Sequence, residues 1–246
     1  MFRDYGELAT VLYELTKPAG FSVIGDIEYY TEKLKCLTSP ILEAGVGTGR
    51  MLVPLIQSGL SVDGTDISDE MLARCRLNME KAGISGDLYR QDLRSLDLPK
   101  KYGAIIIPTG SFCLIPHESA KDVLKSFYDH LEPGGRVLVD IIFPTDFVKG
   151  ETKIKSYPLT SSEGILYSST NLEIDWFKQK ATRIIKYELL RDGLLEKTEV
   201  SNFTLYWFGI QEFWMMLESV GFTEVSYEFN YGAGGEPELV TFIAMR

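Results

Sequence analysis

Three acids and three glycines in this chain sit at spacings that could hold a small charged ligand. Ile41-Leu42-Glu43-Ala44-Gly45-Val46-Gly47-Thr48-Gly49-Arg50 is an apolar run ending in a carboxylate, followed by glycines alternating with small residues. Glycine tolerates positive φ and lets a ligand approach the backbone closely. Leu52, Leu55, Ile56 and Gly59 follow at helical spacing, so the stretch reads as strand, tight turn and helix. A helix start offers N–H groups and the positive end of a dipole, which suits a ligand with a polar or anionic portion. Asp66 lies 17 residues beyond Gly49 and ends the segment Ser61-Val62-Asp63-Gly64-Thr65-Asp66. An acid at that distance, at the tip of the second strand of a doubly wound sheet, accepts hydrogen bonds from ribose hydroxyls; the plain alternative is a turn or cap residue. Asp92 closes a third short segment, Gly86 to Asp92. His117, in Leu114-Ile115-Pro116-His117-Glu118, is either a general base or a helix cap. His130, late in a helical stretch, reads as structural.

These residues need a scaffold, and the pattern supplies one. Residues 4–16 and 24–37 read as helices broken apart at Pro18-Ala19-Gly20. Leu8, Val11, Leu12 and Leu15 stripe the first helix, with Tyr5 and Tyr13 nearby. The two tyrosines either pack on the core or cover the glycine turn. Ser68 is a helix N-cap candidate with Asp69 and Glu70 in the first turn, and Met71, Leu72, Cys75 and Met79 continue one face. Ala104 to Ile107 is a continuous apolar run, as in a strand buried on both faces. It leads into the loop Pro108-Thr109-Gly110-Ser111-Phe112. Ala120, Val123, Leu124, Phe127 and Leu131 form another helical stripe, and Arg136 to Ile142 is a fifth strand. Strand and helix alternate five times, which argues for an α/β fold with a parallel sheet. Beyond about residue 150, residues 165–176, 181–190 and 194–207 are β-branched and aromatic, with Arg191-Asp192-Gly193 as a hairpin turn. Ile210, Phe213, Trp214 and Leu217 stripe a last helix, and residues 223–230 and 238–245 read as final strands.

Composition narrows the possibilities. With 246 residues, 45% of them hydrophobic and 24% charged, the chain suits one large domain or a domain carrying an insertion. No apolar run approaches the roughly 18–20 residues that span a bilayer, and the first residues, Met1 to Glu7, lack a basic region followed by an apolar core. Cys36, Cys75 and Cys113 are far apart and form no CxxC pair. With two histidines, a zinc site is disfavoured, and buried reduced thiols in a cytoplasmic protein are expected. The formal net charge of −10 and the lack of any Lys/Arg run disfavour a nucleic-acid partner.

At this point the sequence resembles the class I S-adenosylmethionine-dependent methyltransferases, small-molecule type. Glu43 to Gly49 matches the family's E/D-x-G-x-G-x-G turn, Asp66 its ribose-binding acid, and Asp92 the acid that meets the adenine amino group. Leu131-Glu132-Pro133-Gly134-Gly135 matches the L-x-P-G-G turn before the fifth strand. The likeness covers residues 38–145 motif by motif, and the last helix and strand pair fit the family's end. It implies a Rossmann-like three-layer sandwich whose seven-stranded, mostly parallel sheet carries an antiparallel β insert after the fifth strand. The implied division is a cofactor-binding core of residues 1–150 and 208–246 and an insert, 151–207, acting as substrate lid. The implied cofactor is S-adenosyl-L-methionine, held by Glu43, Ala44, Gly45, Gly47, Gly49, Asp66, Ile67, Met71, Asp92, Leu93 and Pro108. Glu43 would act through water or backbone groups ordered around the ammonium. A carboxylate there would repel a pyrophosphate, and the glycine spacing departs from the G-x-G-x-x-G of nicotinamide-dependent oxidoreductases.

Methyl transfer from a sulfonium is an in-line displacement that mostly needs positioning, so the acceptor leaves a thin signature. The D/N-P-P-Y/F sequence of many amide and ring-nitrogen methyltransferases is replaced here by Pro108-Thr109-Gly110-Ser111. No metal is expected. His117 and Tyr13 are the candidate catalytic residues; Tyr5, Phe112, Tyr206 and Trp207 are candidate acceptor contacts. Tyr167, Trp176, Tyr187, Tyr206, Trp207 and Phe208 would form an aromatic wall or pack as ordinary sheet residues. The expected activity is methyl transfer to N or O of a small molecule. Methylation of tRNA or protein, and cofactor binding without catalysis, are the alternatives.

Overall fold

The computed structural model describes residues 5–246. The expected helix start at Asp4, and the reading of Met1 to Asp4 as lacking a secretory region, lie outside the described residues. The fold divides into two compact units: Ala19–Phe143 with Trp207–Arg246, and the described part of Met1–Pro18 with Pro144–Tyr206.

The first unit is built on a seven-stranded sheet. In chain order its strands are β1 (Ile41–Ala44), β2 (Val62–Asp66), β3 (Leu88–Arg90), β4 (Tyr102–Ile107), β5 (Leu131–Ile142), β10 (Thr223–Phe229) and β11 (Leu239–Met245). They lie side by side in the order β10-β11-β5-β4-β1-β2-β3. β1 pairs in parallel with β2 and β4, β2 with β3, and β4 with β5. β11 runs antiparallel to both β5 and β10. This is the mostly parallel Rossmann-like sheet that the alternation implies. β1 and β4 are buried along their whole length, as expected of strands covered on both faces; Ala104 to Ile107 reads accordingly as an unbroken apolar run, whereas β1 carries Glu43.

Helices connect the strands: α2 (Asp26–Leu34) precedes β1, α3 (Leu52–Gln57) and α4 (Asp69–Ala82) follow β1 and β2, α5 (His117–His130) follows β4, and α6 (Ile210–Val220) precedes β10. Ser68 caps α4 by accepting from the Met71 N–H, and Gly83 ends it at φ 65. Buried Ala120, Val123, Leu124 and Phe127 form the α5 stripe at i, i+3, i+4 and i+7. One apolar cluster gathers α2, α3 and α4 against Ile41, Ala104, Ile106 and Leu138 of the sheet. Phe112, Phe208, Phe213 and Phe242 form a second cluster of edge-to-face and tilted aromatic pairs. β5 begins at Leu131, five residues before the expected start at Arg136, because the Pro133-Gly134-Gly135 turn is accommodated as an irregularity in its pairing with β4. A Cβ at Gly135 would lie 2.9 Å from the Glu132 carbonyl oxygen, so only glycine fits.

The second unit is an antiparallel sheet, β6 (Thr152–Pro158), β7 (Glu163–Asp175), β8 (Lys180–Arg191) and β9 (Leu194–Tyr206), paired in that order, with helix α1 (Glu7–Thr16). The β8–β9 turn has Asp192 at φ 49 and Gly193 at φ 79, two left-handed residues as a tight hairpin requires. The Leu8 N–H donates to Glu199 Oε2 (2.9 Å), and Lys197 Nζ pairs with Glu7 (2.6 Å) and Glu199 (3.0 Å). α1 therefore belongs with these strands, whereas the sequence reading grouped it with residues up to 150. β6 has no counterpart in that reading.

Cys75 and Cys113 are buried thiols as expected, but Cys36 is exposed. Among the described residues, no helix is long and apolar enough to cross a membrane, and no cluster of His, Cys, Asp and Glu could hold a metal ion.

Candidate functional site

The glycine turn sits at the carboxyl end of β1, where parallel sheets bind ligands. Gly45, Gly47 and Gly49 all adopt positive φ, at 73, 54 and 80°. Gly49 is also required by packing: a Cβ there would lie 2.7 Å from Cys75 Sγ on α4. Gly47 faces open space, with nothing within 4 Å of a Cβ built on it. α3 is six residues long and starts only at Leu52, and the turn spends its own donors internally. The Gly45 and Val46 N–H groups donate to the Thr65 carbonyl oxygen (2.8 and 2.9 Å), Gly49 to Val46 (3.0 Å), and Gly47 to Asp66 Oδ2 (2.9 Å).

Asp66 therefore does two things at the end of β2. Its Oδ2 clasps the turn through Gly47, and its Oδ1 accepts from the Ser68 N–H (2.9 Å). Burial raises its carboxyl above the usual range while those N–H groups pull it back. Ile67, next in sequence, leaves its side chain 61% exposed, an apolar surface beside a polar acid. Met71 is buried at the start of α4. Asp92 follows β3 as the cap of a single 3-10 turn, Leu93–Ser95, with the Arg94 N–H and Nε donating to its carboxylate (both 2.9 Å). That pairing holds its carboxyl below the usual value.

Glu43 and Ala44 end β1 and are buried. Glu43 Oε2 has no hydrogen-bond partner, and burial pushes its carboxyl up to about 8, against the pull of Arg50. Arg50 itself is committed elsewhere: Nη2 to Asp26 Oδ2 (2.5 Å) and Nη1 to the Phe21 carbonyl oxygen (2.8 Å). Asp26 Oδ1 also accepts from the Val23 and Ile27 N–H groups (2.8 Å each). This buried ion pair was not visible in the sequence.

Pro108 is buried after β4, and Thr109 follows at φ 52. The loop touches the glycine turn: Ser111 Cβ is 3.4 Å from where a Gly45 Cβ would stand. Behind it lies Asp140 of β5, fully buried and accepting four hydrogen bonds. These come from Tyr30 Oη (2.9 Å), the Thr241 hydroxyl (2.6 Å), Tyr231 Oη (2.6 Å) and the Thr109 N–H (2.6 Å). Burial pushes its carboxyl up to about 6 although all four donors favour the anion. An acid inside an apolar strand was the one available sign of this cluster.

Other expected site residues fall differently. Phe112 is fully buried, edge-on to Phe208 and Phe213 at 5.7 and 5.2 Å, and packs in the aromatic cluster of the core. His117 is the first residue of α5. Its Nε2 lies 3.0 Å from the Trp207 carbonyl oxygen, its Nδ1 3.7 Å from Glu212, and its ring stacks on Phe208 at 4.2 Å. It staples the start of the final segment to α5. Trp207 is buried in the same unit. Tyr5, Tyr13 and Tyr206 belong to the four-stranded unit; Lys17 Nζ lies 5.5 Å from the Tyr13 ring centroid. The anticipated aromatic wall is not one element: Tyr167 and Tyr187 pair across β7 and β8 (5.6 Å), Trp176 is 65% exposed, and Trp207 and Phe208 lie in the other unit.

Comparison with known proteins agrees with this geometry. Residues 41–135 match the family model described as a methyltransferase domain. The chain is 24% identical over 172 residues to the cypemycin N-terminal methyltransferase of Streptomyces sp, covering 68% of each chain. It is 31% identical over 114 residues to the dTDP-3-amino-3,4,6-trideoxy-alpha-D-glucopyranose N,N-dimethyltransferase of Streptomyces venezuelae, covering 46% of each. Three further curated relatives are matched over 41–52% of their own length. The whole fold, at 16% identity, superimposes on the sugar N-methyltransferase KedS8 from Streptoalloteichus sp ATCC 53650 with a TM-score of 0.78, covering 100% of this chain and 95% of that one.

The residues at the turn fit S-adenosylmethionine. A buried acid with an unpartnered oxygen suits a cation, the space at Gly47 admits a ligand against the backbone, and exposed Ile67 offers an apolar face beside Asp66. The motif order, the sheet order and the family-model match converge: residues 41–135 carry a methyltransferase domain, and the fold is that of S-adenosylmethionine-dependent methyltransferases.

Proposed function

We propose that this enzyme transfers the methyl group to a nitrogen atom of a small molecule, with Glu43, Gly45, Gly47, Asp66, Ile67 and Asp92 holding the cofactor. The cofactor supplies an activated methyl on a sulfonium, so the protein's work is to bind, orient and exclude water. The observation that carries the choice of nitrogen is the state of the titratable groups around β4 and β5. His117 is engaged by the Trp207 carbonyl and Glu212. Asp140 is saturated by four donors. Burial pushes the Cys113 thiol up to about 12. A hydroxyl acceptor needs a base at the moment of transfer; an amine that arrives neutral brings its own lone pair. One relative is named an N-terminal methyltransferase and another an N,N-dimethyltransferase of a dTDP-linked amino sugar, which supports the same class. A net charge of −10 supports a small molecule over a polynucleotide. We assign acceptor selection to the four-stranded unit.

The test is a screen for S-adenosylhomocysteine release with small primary and secondary amines, amino sugars and hydroxylated aromatics. Turnover confined to amine-bearing compounds is expected. Turnover with hydroxyl compounds alone would overturn the nitrogen assignment, and replacing residues 144–206 by a relative's segment should change which amine is used.

A further inference from the structure

We propose that Glu43 is protonated in the ligand-free protein and releases its proton to solvent when the cation of S-adenosylmethionine enters, so that cofactor uptake is coupled to proton release. The inference rests on the cofactor assignment and goes beyond it.

The charged groups that act on Glu43 come from three elements: Asp26 on α2, Arg50 at the end of the glycine turn, and Asp66 at the end of β2. β4, which pairs with β1 opposite Glu43, contributes Ile106 there and no charge. That makes three carboxyl groups and one guanidinium. The guanidinium is taken by Asp26, with Nη2 2.5 Å from Oδ2 and both side chains buried. Asp66 has two N–H donors of its own. Glu43 is 3% exposed, and its Oε2 faces no donor. A buried carboxylate with an empty lone-pair site and no counter-charge of its own is strongly disfavoured, and such a group keeps its proton. The rise of its carboxyl to about 8 has that origin: desolvation comes first and outweighs the opposing pull of Arg50 and the Leu52 N–H, with Asp26 and Asp66 adding to the rise.

A ligand bearing a fixed sulfonium and an ammonium changes the balance. A cation at the turn is the partner the pocket lacks, and the ionised form of Glu43 becomes the favoured one. The O–H bond of Glu43 breaks, the electron pair stays on the carboxylate, and the proton passes to water and then to buffer. One positive charge enters as one leaves, so the buried site stays near neutrality.

The experiment is calorimetric titration of the full chain with S-adenosylmethionine at pH 7, in buffers of different ionisation enthalpy, for wild type and Glu43→Gln. The dependence of observed heat on buffer enthalpy gives the number of protons exchanged. The ligand's own amino group titrates near pH 8 and is already mostly protonated at pH 7, so the difference between the two proteins is dominated by Glu43. A difference of about 0.9 proton is expected, the fraction a group titrating near 8 holds at pH 7. Equal proton counts would overturn the proposal. If Glu43→Gln binds too weakly to measure, urea unfolding of both ligand-free proteins from pH 5 to 9 decides. Wild type should lose stability relative to the variant as pH rises from 5 to 8, and parallel curves would overturn the proposal. Wild type that binds no S-adenosylmethionine at all would overturn the cofactor assignment, and this proposal with it.

Discussion

The Thr109 N–H donates to Asp140 Oδ2 across 2.6 Å while Thr109 itself stands at φ 52, a conformation that β-branched residues avoid. A carboxylate on β5 thus holds a strained residue in the β4 loop, beside the glycine turn. Strain of this kind costs about 1–3 kcal/mol and persists where surrounding contacts over-determine it. Asp140→Ala should lower stability by at least about 3 kcal/mol in urea unfolding, because the Thr109 N–H and three hydroxyls lose their acceptor. Thr109→Gly, which accepts that φ, should stay within about 1 kcal/mol of wild type. Because folding raises the Asp140 carboxyl to about 6, its ionisation contribution is fully present below the unfolded value near 4 and is lost as pH rises through 6.

Gly47 and Asp66 separate binding from folding. A side chain at Gly47 meets no protein atom but enters the ligand's space at a φ of 54°. Gly47→Val should cost about 1–3 kcal/mol of stability through backbone strain and abolish S-adenosylmethionine binding in calorimetry. Asp66→Ala removes the acceptor for the Gly47 and Ser68 N–H groups and should weaken binding at least about 100-fold, an energy of about 2.7 kcal/mol. Unchanged affinity in both variants would contradict the site.

Gly49 is a packing position. Gly49→Ala places a methyl 2.7 Å from Cys75 Sγ and should destabilise by about 1–3 kcal/mol. Adding Cys75→Ala should recover part of that loss, and a thermal-melt cycle of the four proteins measures the coupling.

His117 distinguishes a staple from a base. Replacing it with Ala removes the contact to the Trp207 carbonyl and the stack on Phe208. Stability should fall by about 1–2 kcal/mol, with S-adenosylmethionine affinity within twofold of wild type and turnover, once an amine acceptor is in hand, falling no more than a few-fold. A drop of about 100-fold in turnover at unchanged affinity would restore the base role.

The sequence showed what is written in local pattern. Glu43 to Gly49, Asp66 and the five alternating strands are legible because glycine conformation, strand-end acids and burial periodicity are short-range properties. β6 escaped because Thr152–Pro158 is almost wholly exposed, so no apolar alternation marks it. The Asp140 cluster escaped for the opposite reason: Tyr30 and Tyr231 come from positions 110 and 91 residues away, and no spacing rule joins them. His117 was singled out for its chemistry, yet its neighbours Trp207 and Glu212 arrive from the far end of the chain.

The strand order carries a consequence for biosynthesis. β5 pairs with β4 on one side and β11 on the other, yet β11 emerges from the ribosome only after β6 to β9, α6 and β10 have been made. Throughout that interval the edge of β5, Val137 to Ile142, apolar but for Asp140, has no partner on one side. Unpaired strand edges in nascent chains invite wrong pairings, and the long delay before the sheet closes makes this a slow step. Expression temperature and translation rate should therefore govern the yield of folded enzyme more than the stability of the finished fold does.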